Sequence, residues 1–131
     1  MILLDTCAVI WDGLDQSKLT PKALKAIETA SNNNALLVAD ISFWEIAMLV
    51  KKGRVEISTK AAHFIQLFLK ARNPVILPIS PEIADLSVNL PPELNNDPAD
   101  RIIAATAILH NARLVTADEN LIQCGLIDTL W

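Results

Sequence analysis

The chain has 131 residues, 52% of them hydrophobic, which is enough for one domain with a sizeable core. Its formal net charge is −4, so it lacks the basic composition usual in nucleic-acid-binding domains and would bind such a partner through local basic patches and a metal ion. Its two cysteines, Cys7 and Cys124, provide neither a disulfide framework nor zinc-site spacing, and we expect both to be buried and reduced.

The first third of the chain alternates apolar runs with helical patterns. Residues 2–4 are apolar without polar alternation, which predicts a strand buried on both faces. A short helix from Thr6 to near Gly13 follows, and an amphipathic helix begins at Pro21 and ends in three asparagines. Residues 36–38 predict the second strand.

Two helices separate this strand from the next one. The first has Ser42 as its predicted N-cap and Gly53 just beyond its end. The second covers residues 59–71, and residues 75–77 predict the third strand.

The remaining elements complete the alternation. Pro81 starts a short helix, and Asp97 is the predicted N-cap of a very apolar helix that begins at Pro98. Residues 114–116 predict the fourth strand, and residues 126–131 are a candidate terminal edge strand. Strands alternating with helices predict a single α/β domain, residues 1–131, with a mostly parallel central sheet.

Four acidic residues lie where strand gives way to helix: Asp5, Glu45, Asp100 and Asp118. Parallel strands end, and the helices that follow them begin, at one edge of a sheet, so we expect the four carboxylates to meet there. Two charges about 4 Å apart repel by about 4 kcal/mol at an effective dielectric of about 20. A divalent metal ion is the simplest group that would hold them together.

The donor types favour Mg²⁺ or Mn²⁺ over zinc, because no cysteine or histidine cluster is available. Hard cations held by carboxylates commonly serve phosphate chemistry. The chain has only three glycines and no glycine-rich phosphate loop, which argues against binding of a nucleoside triphosphate or dinucleotide. Hydrolysis of a phosphodiester fits best.

Four segments of the chain resemble the signature segments of PIN-domain ribonucleases, and most closely those of the VapC-type toxins of bacterial toxin–antitoxin pairs: LLDTCAVIW, ISFWEIAML followed by KKGR, DPADRIIAATA and LVTADENL. They occur in the family's order and cover nearly the whole chain. The resemblance implies a PIN-like three-layer sandwich and a Mg²⁺- or Mn²⁺-dependent endoribonuclease, in which a metal-activated water attacks the scissile phosphate in line. It further implies an RNA substrate, a cognate antitoxin protein and a homodimer.

The resemblance also carries residue roles. Catalysis and metal binding fall to the four acids named above, Asp5, Glu45, Asp100 and Asp118. Three further residues would not bind the metal directly but would orient the residues that do: Asp97, Thr116 and Thr6. Four cations are candidate RNA contacts: Arg101, Lys51, Lys52 and Arg54. Asp40 is an extra acid to which the family pattern gives no role.

Several of these residues have a purely structural alternative. Ser42 and Glu45 have the spacing of a capping box, and Asp97 and Asp118 are candidate helix N-caps. The basic residues near Gly53 are also what a helix C-terminus favours. We expect the larger aromatic residues to be core or interface residues without a role in base stacking: Trp11, Phe43, Trp44, Phe64 and Phe68.

Two other functions remain open from the sequence. One is a metal-dependent phosphatase, although the haloacid-dehalogenase type requires a second Asp at position 7, which is Cys. The other is a non-catalytic RNA- or protein-binding module that retains an acidic rim. The N-terminus lacks the basic region of a signal peptide and no apolar run is long enough to span a membrane, so a cytoplasmic protein is expected.

Overall fold

The computed structural model describes residues 1–94 and 96–131. In chain order its helices and strands are β1 (Ile2–Leu4), α1 (Thr6–Leu14), α2 (Pro21–Asn32), β2 (Leu36–Ala39), α3 (Ile41–Lys51), α4 (Ala61–Arg72), β3 (Val75–Leu77), α5 (Pro81–Asn89), α6 (Pro98–Leu109), β4 (Arg113–Val115), α7 (Glu119–Gln123) and β5 (Thr129–Leu130). A short 3-10 turn, Gln16–Lys18, separates α1 from α2.

The five strands form one sheet in the order β3-β2-β1-β4-β5, and all four strand pairings are parallel. The chain starts at the central strand, builds outwards to β3, and then returns to add β4 and β5 on the other side of β1. The predicted strands, including the terminal edge strand, are thereby confirmed. This order brings the carboxyl ends of β1 and β4 next to each other, which matters for the site.

Alternate side chains of the strands feed two hydrophobic clusters, one on each face of the sheet. Leu4, Val38 and Val115 pack with residues of α1, α2, α3 and α4 on one face. Leu3, Leu37 and Leu114 pack mainly with residues of α5, α6 and α7 on the other. The three-layer α/β sandwich expected from the sequence is confirmed. In the described part of the chain, no helix is both long and apolar enough to cross a membrane.

Two local predictions were wrong. Helix α3 begins at Ile41, and the residue at its N-cap is Asp40, which makes no side-chain capping bond. Ser42 lies inside the helix and is fully buried. The chain turns into α3 directly after β2, because the Asp40 N–H still bonds to the Leu77 carbonyl at 3.0 Å.

The second wrong prediction concerns Cys7. This residue is exposed rather than buried, since it lies in the first turn of α1 on the side away from the core.

A buried ion pair ties α1 to α4. The Arg72 guanidinium donates to both carboxylate oxygens of Asp12, at 2.9 Å from Nε and 2.8 Å from Nη2, and the Asp12 side chain is 3% exposed. Next to this pair the two helices approach closely, because a Cβ added to Gly13 would lie 2.7 Å from the Phe64 ring. The relative position of α1 and α4 is therefore fixed by both charge and steric fit.

Candidate active site

The four acids predicted from the sequence line one cleft at the carboxyl edge of the sheet. Asp5 is the N-cap of α1, Asp118 is the N-cap of α7, Glu45 lies in α3 and Asp100 in the first turn of α6. The cleft has a volume of about 360 Å³, and its other lining residues are Thr6, Cys7, Trp11, Leu49 and Ala117.

Asp5 is the most firmly held of the acids. It is 7% exposed, and its Oδ1 accepts a hydrogen bond from the Ala8 N–H at 2.8 Å. The buried Thr116 hydroxyl donates to the same carboxyl group and accepts from the Asp118 N–H at 3.0 Å. Thr116, expected to support the ligands from behind, thus connects Asp5 to the loop that carries Asp118.

Glu45 reaches the cleft from α3 and is 9% exposed. Its carboxyl group hydrogen-bonds to the Thr6 hydroxyl, and that hydroxyl also lies 3.1 Å from the Ser42 Oγ. The capping-box alternative for Ser42 and Glu45 is therefore wrong, because Ser42 is past the helix start and its hydroxyl faces Thr6. Thr6, expected to have a supporting role near the site, contacts the Glu45 carboxyl.

Asp97 is closer to the centre of the cluster than its supporting role implies. Its Oδ1 caps α6 by accepting from the N–H groups of Ala99 at 2.9 Å and Asp100 at 3.2 Å. Carboxylate oxygens of Glu45, Asp97 and Asp100 nevertheless all lie within 4.8 Å of one another. Capping and contribution to an acidic cluster therefore coexist in Asp97, and these three residues form the group with the dimensions of a metal site.

The pKa values of Asp5, Glu45 and Asp100 in the cleft are raised, which means that their charged forms are disfavoured in the protein without a bound cation. Burial raises the pKa of Asp5 to about 6, against hydrogen bonds from Thr116 and Ala8 that lower it. Burial and the neighbouring carboxylates, Asp97 first, raise the pKa of Asp100 to about 7. Burial likewise raises the pKa of Glu45. A bound cation would reverse these shifts, because it favours the charged form of every carboxyl near it.

Cys7 is not an activated nucleophile. Although the residue is exposed overall, loss of water around its sulfur, together with the four carboxylates, raises the pKa of the thiol to about 12. The nucleophile in thiol chemistry is the thiolate. The Cys7 thiol therefore stays protonated at neutral pH.

Asp118 has a capping role of its own. Its Oδ1 accepts from the N–H groups of Asn120 at 2.8 Å and Leu121 at 3.4 Å, as the N-cap alternative expected. The side chain is half-buried and still lines the cleft. Its place at the rim is therefore fixed by α7 as well as by the bond from its own N–H to the Thr116 hydroxyl oxygen.

The cations lie in two different settings. The Arg101 guanidinium donates to the carbonyls of Ser87 at 2.9 Å, Leu90 at 2.5 Å and Pro91 at 3.1 Å, so it holds the segment that follows α5. Lys51, Lys52 and Arg54 are exposed at the C-terminal end of α3. These three have the accessibility that an RNA contact needs, whereas Arg101 is largely occupied by backbone carbonyls.

Two features of this edge were not expected from the sequence. One oxygen of Asp40 is buried without a hydrogen-bond partner among the described residues, at the carboxyl end of β2 but outside the lining of the cleft. Trp11 and Leu49 line the cleft; Trp11, predicted to be a core or interface residue, also packs partly buried against the core. The spacing of residues could have predicted that Trp11 and Leu49 line the cleft. Trp11 lies four residues after Cys7 and Leu49 four residues after Glu45, so each pair lies on one helix face.

Comparison with known proteins shows to which family the chain belongs. The PIN domain family matches residues 2–125 of the chain. Ribonuclease VapC22 from Mycobacterium tuberculosis is 37% identical over 120 residues, which are 92% of this chain and 88% of that protein.

Solved structures agree in fold. VapBC2 from Rickettsia felis, bound to a DNA fragment from its promoter, superposes with a TM-score of 0.76 at 22% identity, over 100% of this chain and 99% of that one. A toxin–antitoxin complex from Klebsiella pneumoniae gives a TM-score of 0.62 at 23% identity, over 100% and 97% of the two chains. With its five-stranded parallel sheet and acidic cleft, the chain belongs to the PIN-domain family and, within it, to the VapC ribonucleases.

Proposed function

We propose that the acidic cleft binds Mg²⁺ or Mn²⁺ and, with it, hydrolyses RNA phosphodiester bonds. As a member of the VapC ribonucleases, the protein is an endoribonuclease toxin. The observation that carries the metal dependence is the group Glu45, Asp97 and Asp100, whose carboxylate oxygens lie within 4.8 Å of one another. We further infer that residues 1–131 are one domain, because both hydrophobic clusters pack on the same sheet.

The donor set suits a hard divalent cation. Carboxylate oxygens are the ligands preferred by Mg²⁺ and Mn²⁺. Burial raises the pKa of Asp5 and of Asp100, and neighbouring carboxylates add to both rises, so a cation bound in the cleft would favour the charged forms. Glu45, Asp97 and Asp100 would hold the ion, with Asp5 and Asp118 in the same cleft as further ligands. When bound, the ion supplies an activated water and neutralises charge on the phosphate.

The chain's own residues prepare this chemistry. Thr116 and the Ala8 N–H fix the orientation of the Asp5 carboxyl, and Thr6 does the same for Glu45. Side chains held in this way keep the ligands in position without reorganisation during the reaction. We propose that Asp5 and Asp118 would help to position the attacking water in this cleft.

The test is cleavage of RNA by Asp5→Asn and Asp100→Asn, compared with wild type in Mn²⁺. We expect each variant to lose about 10²-fold or more in rate, and Asp100→Asn to bind Mn²⁺ more weakly in calorimetry. Asp85→Asn, an exposed acid on α5, is the matched control and should cleave normally. Near-normal cleavage by Asp5→Asn would show that the site is assigned wrongly.

We propose two protein partners, a cognate antitoxin and a second copy of this chain. The antitoxin is supported by family membership and by the likeness to the Klebsiella toxin–antitoxin complex. The second copy is supported by apolar side chains at the β3 side of the sheet that remain exposed in the monomer, a set we call the β3-side surface: Trp44, Val75, Ile76, Ile79 and Val88. Exposed apolar patches of this kind commonly mark interfaces.

Sedimentation tests the homodimer. Wild type should sediment as a dimer at tens of micromolar, and Ile76→Glu should sediment as a monomer because it places a charge in the β3-side surface. Leu126→Glu, which changes a comparably exposed apolar residue elsewhere, should remain dimeric. Monomeric wild type at that concentration would count against the homodimer.

For the location of the protein in the cell we propose the cytoplasm, where RNA substrates and a bacterial antitoxin occur.

A further inference from the structure

The cleft continues beyond the acids as a trough between α1 and α3. Trp11 follows Cys7 by one helical turn on α1, and Leu49 follows Glu45 by one turn on α3, so each pair presents one helix face. All four residues line the same cleft. The walls of the cleft therefore change from acidic to apolar within one turn of each helix.

The Trp11 ring is held in place from outside the trough. It packs against Trp131 with ring centroids 5.6 Å apart and the planes inclined by 56°. Trp11 is half-buried, so part of it remains accessible in the cleft. A fixed, partly exposed indole is the kind of surface on which a nucleobase stacks, so the position of Trp11 supports a stacking role that we did not expect from the sequence.

One cation lies beyond this apolar wall on the same side of α3. Lys52 is seven residues after Glu45, which places it within about 20° of Glu45 around the helix and about 10 Å further along it. The helical backbone extends to Lys52, whose φ is −80° and whose N–H bonds to the Met48 carbonyl. Lys51 lies about 120° away around the same helix, and Arg54 comes after Gly53, where a φ of 72° turns the chain away.

We propose that this trough binds the nucleotide adjoining the scissile phosphate of an unpaired RNA strand, with its base on Trp11 and Leu49 and its phosphate on Lys52. This inference rests on the proposed ribonuclease function and adds the residues that hold the substrate strand beside the acids. A base that stacks on a side chain has to leave its own helix, which is easy in a single strand and costly in a duplex. Along the trough the acids come first, then the apolar side chains and then Lys52. This order matches the scissile phosphate, the adjoining base and the next phosphate of an RNA strand.

The first test compares two lysines. In an Asp5→Asn background, binding of fluorescein-labelled single-stranded decauridylate is measured by anisotropy in Mg²⁺ at several salt concentrations. Lys52→Gln should weaken binding severalfold and reduce the slope of log K against log salt by about 0.7, the value for one phosphate contact on a single strand. Lys25→Gln, which changes an exposed lysine on α2 outside the lining of the cleft, is the control and should leave both quantities unchanged.

The second test concerns the base. Trp11→Leu should weaken decauridylate binding about tenfold, and a blunt-ended RNA duplex of equal charge should compete poorly with the single strand. Because Trp11→Leu removes the contact with Trp131, its fold is checked by thermal denaturation. As a measurement that needs no variant at this position, RNA should quench tryptophan emission equally in wild type and in Trp44→Phe.

The outcomes separate this inference from the proposed function. The trough assignment alone is overturned if an enzyme that cleaves RNA binds equally well with Lys25→Gln and Lys52→Gln, binds the duplex as tightly as the single strand, or shows no quenching. An enzyme that cleaves no RNA in Mn²⁺ overturns the proposed function, whatever the lysine and tryptophan variants bind.

Discussion

Replacing Asp5 by Asn should stabilise the metal-free protein at pH 8. Burial raises the pKa of Asp5 from 3.8 to about 6, and each unit of that rise corresponds to about 1.4 kcal/mol. Above pH 7 the charged carboxyl therefore costs the folded state about 3 kcal/mol. Asn removes this cost, and its amide oxygen still accepts the bond from the Ala8 N–H, so most of the 3 kcal/mol should appear as added stability.

The gain should depend on pH in one direction. At low pH the Asp5 carboxyl is neutral in both the folded and the unfolded chain and costs nothing. The wild type loses stability as the pH rises from about 4 through about 6, because the folded state holds a proton that the unfolded chain has released. The advantage of Asp5→Asn should therefore shrink to about 1 kcal/mol at pH 4.5.

Urea unfolding with EDTA at pH 4.5 and pH 8 measures this difference. Glu56→Gln, which removes the charge of an exposed acid, controls for the general effect of the net charge. If Asp5→Asn is no more stable than wild type at pH 8, or gains as much at pH 4.5, the reasoning about the buried carboxyl is refuted. Mn²⁺ should narrow the gap, because it binds the folded wild type and stabilises it in proportion to its affinity.

Three other substitutions test the surroundings of the site. Arg72→Met should destabilise the protein by about 3 kcal/mol in urea unfolding, because it leaves the Asp12 carboxylate buried without its partner. Gly13→Ala should cost about 1–2 kcal/mol, since its Cβ would lie 2.7 Å from the Phe64 ring; an unchanged or raised stability would show that the ring moves aside. Asp97→Ser keeps a good N-cap and should change stability little, but should weaken Mn²⁺ binding in calorimetry by about 10-fold or more.

The sequence predicted the sheet well because its strands are buried on both faces. Residues 2–4 and 36–38 have no polar alternation, which is the pattern of central parallel strands, and both are central in the structure. The same reasoning predicted that Asp5 and Asp118 lie at one edge of the sheet, because an acid that follows the carboxyl end of a parallel strand lies at that edge. Helix starts marked by proline, at Pro21 and Pro98, were also correct.

What the sequence did not predict depends on contacts between distant elements. Ser42 has the residue type and spacing of an N-cap, but the bond from the Asp40 N–H to β3 starts the helix earlier. The exposure of Cys7 and the position of Trp11 depend on how α1 packs beside α3, which no local pattern encodes. Asp97 was recognised as a cap, but its distance from Glu45 is set by the packing of α6 against α3.

The pairing of β1 with β4 has a kinetic consequence. The bond from the Asp5 N–H to the Val115 carbonyl joins residues 110 positions apart, and loops of that length close late and slowly during folding. The carboxylates of Asp5 and Asp118 meet only when this pairing forms, so a partly folded chain has no complete cleft. Nuclease activity should therefore appear with the slowest cooperative folding step, and recovery of RNA cleavage after dilution from urea should follow the recovery of the whole fold.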